Sequence, residues 1–365
     1  MHIGFDAKRL FQNTTGLGNY SRSLVQGLQA QFPAHTYTLF APKIVTNTAT
    51  APFLQPPFDV IKAPHSFRNY WRTYGITNDI KRCKLEVYHG LSHEIPLAMP
   101  RSVRSVVTVH DLIWRRFPAT YGLWDRNVHD AKCAYACRNA DKIIAISEST
   151  KRDIMEFYGV AESKIEVIYQ SCNAIFYKNY NENFYKNAEN YLLYVGSIIE
   201  RKNLLNLAKA MTLLPKNFAD TPLYVVGGGK GAYFESVKAF IQKNKLEKRI
   251  VFLKNVSDAD LAVLYKNATA FVYPSVYEGF GIPILEALFS GAPVITSTQL
   301  ALTEAAGAYS LCVDVSQPAV IAEALQTVLE NAAFANEMRI HGLLHAQQFL
   351  PQGLAKQMMG LYGSL

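Results

Sequence analysis

Two α/β domains of similar size, each built on a parallel sheet, are what this sequence predicts, and three observations predict them. Its 365 residues exceed what one hydrophobic core usually serves. Apolar residues make up 49% and charged residues 18%, a globular composition without the marks of disorder. Short β-rich runs alternate with longer amphipathic stretches, the pattern of parallel strands joined by crossover helices.

In the first half, strands are expected at His2–Asp6, Thr36–Ala41, Val87–His89, Val103–His110, Lys142–Ile146 and Ile165–Ile168. Helices are expected at about 18–31, 70–84, 124–139 and 149–158. In the second half the strands read Tyr191–Val195, Leu223–Val226, Ile250–Phe252, Ala270–Tyr273, Val294–Thr296 and Ser310–Val313. Helices fall between them, among them Leu204–Leu213, Tyr233–Asn244, Asp258–Asn267 and Pro283–Phe289. The polar, Asn-rich stretch Tyr177–Asn190 reads as the connector, so the domains are taken as 1–178 and 179–349.

Charge is unevenly placed. Residues 1–178 hold 22 Lys/Arg against 14 Asp/Glu, whereas residues 179–365 hold 15 of each, so the net +8 belongs to the first half. Such a field attracts anions: nucleic acid, an anionic membrane leaflet or a phosphate-bearing acceptor. No nucleic-acid reader motif accompanies it, and no nucleic-acid partner is expected. The chain runs straight into its first strand without a basic-then-apolar leader, and no stretch of 18 apolar residues occurs. The expectation is a cytoplasmic protein, at most peripheral on the inner face of a membrane. The odd, scattered cysteines 83, 133, 137, 172 and 312 fit reduced thiols. His129, Cys133 and Cys137 share a helical stripe, but a metal would need a fourth ligand, and a buried helix face is the simpler reading.

The densest chemical signal is Tyr273–Ala287, Y-P-S-V-Y-E-G-F-G-I-P-I-L-E-A. A β run ends, a Gly-rich turn follows, and Pro283 sits where a helix begins. Gly279 and Gly281 let the backbone approach a ligand, and exposed N–H groups at a helix start bind phosphate. Glu278 and Glu286 flank the turn, and carboxylates accept hydroxyls, which suits a sugar and a ribose on either side of a diphosphate. Arg201 and Lys202 follow a strand and precede a helix, where a cation opposes the helix dipole and calls for a nearby anion.

E-G-F-G-I-P-I-L-E resembles the E-x(7)-E motif of the family 4 retaining glycosyltransferases of the GT-B fold. Y-V-G-S-I-I-E-R-K-N (194–203), L-Y-V-V-G-G-G-K-G (223–231), V-S-D-A-D-L-A-V-L-Y (256–265) and V-H-D-L (109–112) follow that family's order, so the resemblance covers essentially the whole chain. It implies two Rossmann-like domains with parallel sheets facing across a cleft, the first binding the acceptor and the second a nucleotide-sugar. In two-domain folds of this kind a last helix, here about 350–365, crosses back onto the first domain. By the resemblance, Arg201 and Lys202 hold the diphosphate, Glu286 the ribose and Glu278 the transferred sugar. Gly196, Gly281, Ile282 and Val256 complete the donor site. Gly16 and Gly18 form a loop closing over the phosphates, and His110 meets the donor sugar near the reaction centre. No side chain stands out as an enzymic nucleophile, in keeping with front-face transfer, in which the departing phosphate oxygen takes the acceptor's proton.

The Gly16–Ser21 run lies about ten residues beyond the first strand, too far for a dinucleotide fingerprint, which disfavours an NAD-dependent oxidoreductase. Gly227–Gly231 lacks the P-loop order. His110 ends a strand, where α/β sheets bind ligands, and His89 and His93 end another and are candidates to face the acceptor. Asp258-Ala259-Asp260 could hold a metal but opens a helix, where carboxylates cap the positive end, so no essential metal or other cofactor is expected. In the basic aromatic stretch Phe67–Lys84, Arg68, Arg72, Lys81, Arg82 and Lys84 could meet lipid phosphates while Tyr70, Trp71 and Tyr74 sit at the interface. F-D-A-K-R-L, T-G-L-G-N-Y and Y-H-G-L-S-H-E-I-P look like bacterial mannosyltransferases of surface-polysaccharide synthesis. That likeness favours GDP-mannose as donor and a saccharide or polyprenyl-diphosphate-linked acceptor. A UDP-sugar enzyme of the same fold and a non-catalytic sugar-binding subunit are the alternatives.

Overall fold

The computed structural model describes residues 1–64, 68–177 and 190–365. The chain divides into two compact units, Met1–Ser171 with Phe349–Leu365, and Cys172–Gln348. The division falls a few residues before the 178/179 boundary read from the sequence. Phe176 meets Tyr265 edge-on with centroids 5.8 Å apart, and Tyr177 lies 5.6 Å from Phe289, so the segment after Ser171 packs on the second unit. Most of the polar connector, 178–189, lies outside the described residues.

The first unit holds seven parallel strands: β1 (His2–Asp6), β2 (Thr36–Ala41), β3 (Phe58–Lys62), β4 (Val87–Gly90), β5 (Arg104–Val109), β6 (Lys142–Ala145) and β7 (Ile165–Val167). Their order is β3-β2-β1-β4-β5-β6-β7. Helices cover both faces, so the central strands are buried along nearly their whole length. The edge strand β3 is absent from the sequence reading because it is half-exposed, and Asp59 and Lys62 break its apolar residues into pieces too short to stand out. The helix Gly16–Gln31 buries Leu24, Val25 and Leu28 against this sheet. The last helix, Pro351–Gly363, adds Leu354, Ala355 and Met358 to the same core. Local signals set helix ends. Ser147 Oγ accepts from Thr150 N–H to open Glu148–Tyr158, and Gly159 (φ 63°) closes it in the left-handed conformation.

The second unit holds β8 (Leu192–Val195), β9 (Leu223–Val226), β10 (Ile250–Leu253), β11 (Ala270–Tyr273), β12 (Val294–Ser297) and β13 (Leu311–Val313), all parallel, in the order β10-β9-β8-β11-β12-β13. Within each unit the first strand is central, the chain winds outward to one edge, then returns and winds to the other. Each sheet therefore has one reversal point, between β1 and β4 and between β8 and β11. Ligands of such sheets gather beyond the carboxyl ends of the strands at that point.

Candidate functional site

In the second unit, β8 runs into Gly196, and the turn Glu200–Lys202 ends at Asn203 (φ 58°) before the helix Leu204–Met211. Gly227, after β9, must be glycine. A Cβ there would lie 2.0 Å from the Gly196 carbonyl oxygen, so the two loops cross backbone to backbone. Across the reversal point, β11 leads through residues 274–281 into the helix Ile282–Phe289. The two sides are tied together. Val276 N–H donates to the Arg201 carbonyl at 2.8 Å, Ser275 Oγ donates to the same oxygen at 3.2 Å, and the Arg201 guanidinium donates to the Tyr277 carbonyl.

Glu278 is the centre of this arrangement. Its Oε1 lies 2.7 Å from Arg201 Nη1 and 2.5 Å from Lys202 Nζ, and it accepts from Ser275 Oγ at 2.5 Å and Tyr273 OH at 3.2 Å. Lys202 also donates to Tyr273 OH and lies 4.6 Å from that ring's centre. Burial opposes charge on Glu278, but Lys202 and Arg201 outweigh it and hold the carboxyl below the usual carboxylate range. Two fixed cations thus converge on one anion at the sheet's reversal point. This places Arg201, Lys202 and Glu278 in one cluster, and adds Ser275 and Tyr273, which the sequence did not single out.

Glu286 lies in the first turns of the helix that Gly281 (φ 118°) and Ile282 open, and its Oε2 accepts from Tyr265 OH at 3.0 Å. Burial pushes its carboxyl up to about 7; the Tyr265 bond opposes that shift and Asp258 adds to it. The folded protein keeps this proton to about pH 7, whereas the unfolded chain releases it near 4.5. Between those values the folded state binds more protons, so this group's contribution to stability falls as pH rises and is flat below the window. Glu286→Gln is therefore expected to flatten the thermal-unfolding profile between about pH 4.5 and 7, by up to about 3 kcal/mol. Parallel profiles for the two proteins would refute this origin of the shift. Val256 is half-buried in the loop after β10, one residue before Ser257. Ser257 and Asp260 form a reciprocal capping box, and Asp258 accepts from Asn173 Nδ2 at 2.9 Å, so both aspartates of the D-x-D have structural partners.

In the first unit several expectations need correction. Gly16 and Gly18 are not in a loop but in the first turn of the helix Gly16–Gln31. Asn13 Oδ1 accepts from the Thr15 and Gly18 N–H groups, starting the helix earlier than glycine content suggests. A Cβ on Gly18 would lie 1.8 Å from the Asn13 carbonyl oxygen. His89 does not face an acceptor. It is fully buried, bonded through Nδ1 to Tyr362 OH of the last helix at 2.6 Å and through Nε2 to Thr108 Oγ1 at 2.8 Å. Arg72 does not reach toward lipid phosphate. Its guanidinium donates to Asp6 Oδ2 at 2.6 Å and to Glu94 Oε2 at 2.5 Å, and only a tenth of the side chain is exposed. Trp71 is buried too, its Nε1 donating to Asp79 Oδ2 at 2.7 Å, while Tyr70 and Tyr74 stay exposed and stack on each other. Arg68 opens the same helical segment, and Phe67 lies outside the described residues.

His110 follows β5 and is 4% exposed. Its Nε2 donates to the Leu91 carbonyl at 2.9 Å, which leaves Nδ1 to accept from Gln170 Nε2 at 3.0 Å. Burial first, and His93 second, lower its pKa to about 3, so the ring is neutral. Tyr20 packs against it edge-on at 4.7 Å. His93 (φ 59°) sits between His110 and Trp114, with ring centres 5.4 and 5.3 Å away, and lies beside Cys133. Cys133 and Cys137 belong to the core beneath, while His129 of the same stripe is exposed. Among the described residues no helix is long and apolar enough to cross a membrane.

Residues 14–173 match the family model described as Glycosyltransferase Family 4, and residues 177–342 match Glycosyl transferases group 1. The chain is similar to O-antigen chain mannosyltransferase B of Escherichia coli, 28% identical over 76% of this chain and 74% of that protein. Its fold is similar to that of sucrose-phosphate synthase from Thermosynechococcus elongatus, at a TM-score of 0.78 and 19% identity, over 100% and 98% of the two chains. It is also similar in fold to the Anabaena protein HepE, solved in complex with UDP and glucose. There the TM-score is 0.75 at 14% identity, over the whole of both chains.

Proposed function

Because this chain belongs to the family 4 glycosyltransferases of the GT-B fold, we propose that it is a retaining mannosyltransferase. In this reading it passes mannose from GDP-mannose to a saccharide acceptor, carried on a polyprenyl diphosphate, in cell-surface polysaccharide synthesis. The observation that carries the proposal is the convergence of Arg201 and Lys202 on Glu278 at the reversal point of the second sheet. That cluster holds one more positive than negative charge, and a diphosphate is the anion that would use the surplus. The E. coli relative's name supplies the mannosyl group.

The geometry gives the proposal a specific form. Glu278 Oε1 already accepts from four donors, so a sugar hydroxyl would reach that oxygen only as some of them are released, while Oε2 is the carboxylate's other acceptor. A bound diphosphate would draw Arg201 and Lys202 to its own oxygens, leaving the carboxylate to the hexose. As the glycosidic bond breaks, negative charge builds on the leaving phosphate, and the two prepositioned cations stabilise it without a metal. The N–H groups at Ile282 and the helix behind it add to that field. Glu286, as the carboxylate, would accept from the ribose. His110 would meet the sugar by exchanging its Gln170 partner. Contact with an anionic membrane surface would use the exposed Tyr70 and Tyr74 rather than Trp71 or Arg72.

The UDP and glucose bound by HepE favour a second reading, a UDP-sugar donor. Thermal shift with GDP, GDP-mannose, UDP and UDP-glucose separates the two. GDP-mannose is expected to raise the melting temperature most; a larger shift from UDP-glucose would replace the donor assignment.

A further inference from the structure

The two sheets share one strand order, so the first unit has a counterpart of the place where Arg201, Lys202 and Glu278 meet. A cavity of about 240 Å³ opens at that counterpart, beyond the carboxyl ends of β1 and β4. Its polar side is a set of interlocked charges. Arg72 donates through Nε and Nη2 to Oδ2 of Asp6, the last residue of β1, and through Nη1 to Oε2 of Glu94. Lys132, from the helix Leu123–Asn139, donates to the same Glu94 oxygen at 3.2 Å. Its apolar side is formed by Tyr135 and the Ile95–Leu97 segment.

The charges decide what fits. The lining's two carboxylates are held by one guanidinium and one ammonium, and Lys8, though not part of the lining, acts on both Asp6 and Glu94. An amine entering this partly enclosed space would add to the cations there, and a phosphate would have to displace Asp6 and Glu94 from Arg72, which is bonded to both, leaving a carboxylate buried without its partner. A neutral ligand with hydroxyls on one side and C–H groups on the other matches both walls. Glu94 uses Oε2 for its two cations, and Oε1 is the atom a hydroxyl would meet. Burial opposes the charge on Glu94, but Arg72 and Lys132 hold its carboxyl below the usual range, so it is an acceptor at neutral pH.

We propose that this cavity binds a neutral pyranose ring of the acceptor, with Glu94 and Lys132 contacting its hydroxyls, Tyr135 packing on its C–H face, and Arg72 positioning the carboxylates. That the ring belongs to an acceptor rests on the glycosyltransferase reading above; the binding itself does not. The test uses the full chain, saturated with whichever nucleoside diphosphate gives the larger thermal shift, and methyl α-D-mannopyranoside as probe in saturation-transfer NMR. Saturation transfer to the probe is expected in the parent protein. Glu94→Gln and Lys132→Ala should each weaken it about tenfold, with the nucleotide's thermal shift retained. Lys132 is partly exposed, so its replacement keeps the proposal testable should Glu94→Gln unfold. No transfer in the parent protein, or equal transfer in the variants, overturns the cavity assignment. Loss of the nucleotide's shift in the parent protein would instead sink the donor reading and leave the cavity result to stand on the probe alone.

Discussion

Glu278→Ala is expected to lower turnover about 10²- to 10³-fold, the range found when one prepositioned polar partner of a transition state is removed. The cost has two parts. The hexose loses a carboxylate that fixes its hydroxyls, and Arg201 and Lys202 lose the anion that holds them in place before the donor arrives. The second part also bears on stability, because removing one member of a buried ion cluster leaves the others uncompensated. Arg201 and Lys202 each keep about an eighth of their side chain exposed, which limits that penalty. Glu278→Gln separates the two parts. It keeps the shape and one acceptor oxygen, so its melting temperature should lie closer to the parent's while turnover falls nearly as far. Near-normal turnover in either variant, scored by release of the nucleoside diphosphate, would remove Glu278 from the reaction.

The second-unit cluster was legible because its signals are local. Gly279, Gly281 and Pro283 mark a strand-to-helix turn by conformational need, and a cation pair at a helix start advertises an absent anion. What the sequence could not show is that Arg201, Lys202 and Glu278 serve one another. It assigned diphosphate to the first two and sugar to the third, whereas all three share the Oε1 atom of Glu278. The histidines were harder. A histidine ending a strand reads the same whether it faces a crevice or the core. Tyr362, on the last helix, decides that His89 is part of the core. Arg72 was misread for the opposite reason. Its neighbours Tyr70 and Tyr74 are exposed, but a turn of π-helix at Trp71–Gly75 carries Arg72 inward to Asp6 and Glu94. Asp6 and Glu94 were open to discovery from position alone, since one ends and the other follows the two strands that flank the reversal point.

Arg201→Ala is expected to weaken nucleoside-diphosphate binding about 10- to 100-fold, the equivalent of one or two charge-assisted hydrogen bonds, while leaving the nucleoside within a few-fold. The asymmetry follows from geometry. The guanidinium lies beside Glu278 and the Tyr277 carbonyl, at the carboxyl end of the sheet, whereas Glu286 and Val256, the residues assigned to ribose and base, belong to other elements. The Arg201 main chain is unaffected by the substitution, so its carbonyl still accepts from Val276 and Ser275, and the strap bearing Glu278 keeps that anchor. Arg201→Lys restores the charge but not the planar fork and should recover only part of the loss. Calorimetric titration with the diphosphate and the nucleoside in parallel measures the difference. Equal losses for the two ligands would mean that Arg201 supports the loop and not the diphosphate, and the charge surplus at Glu278 would need another occupant.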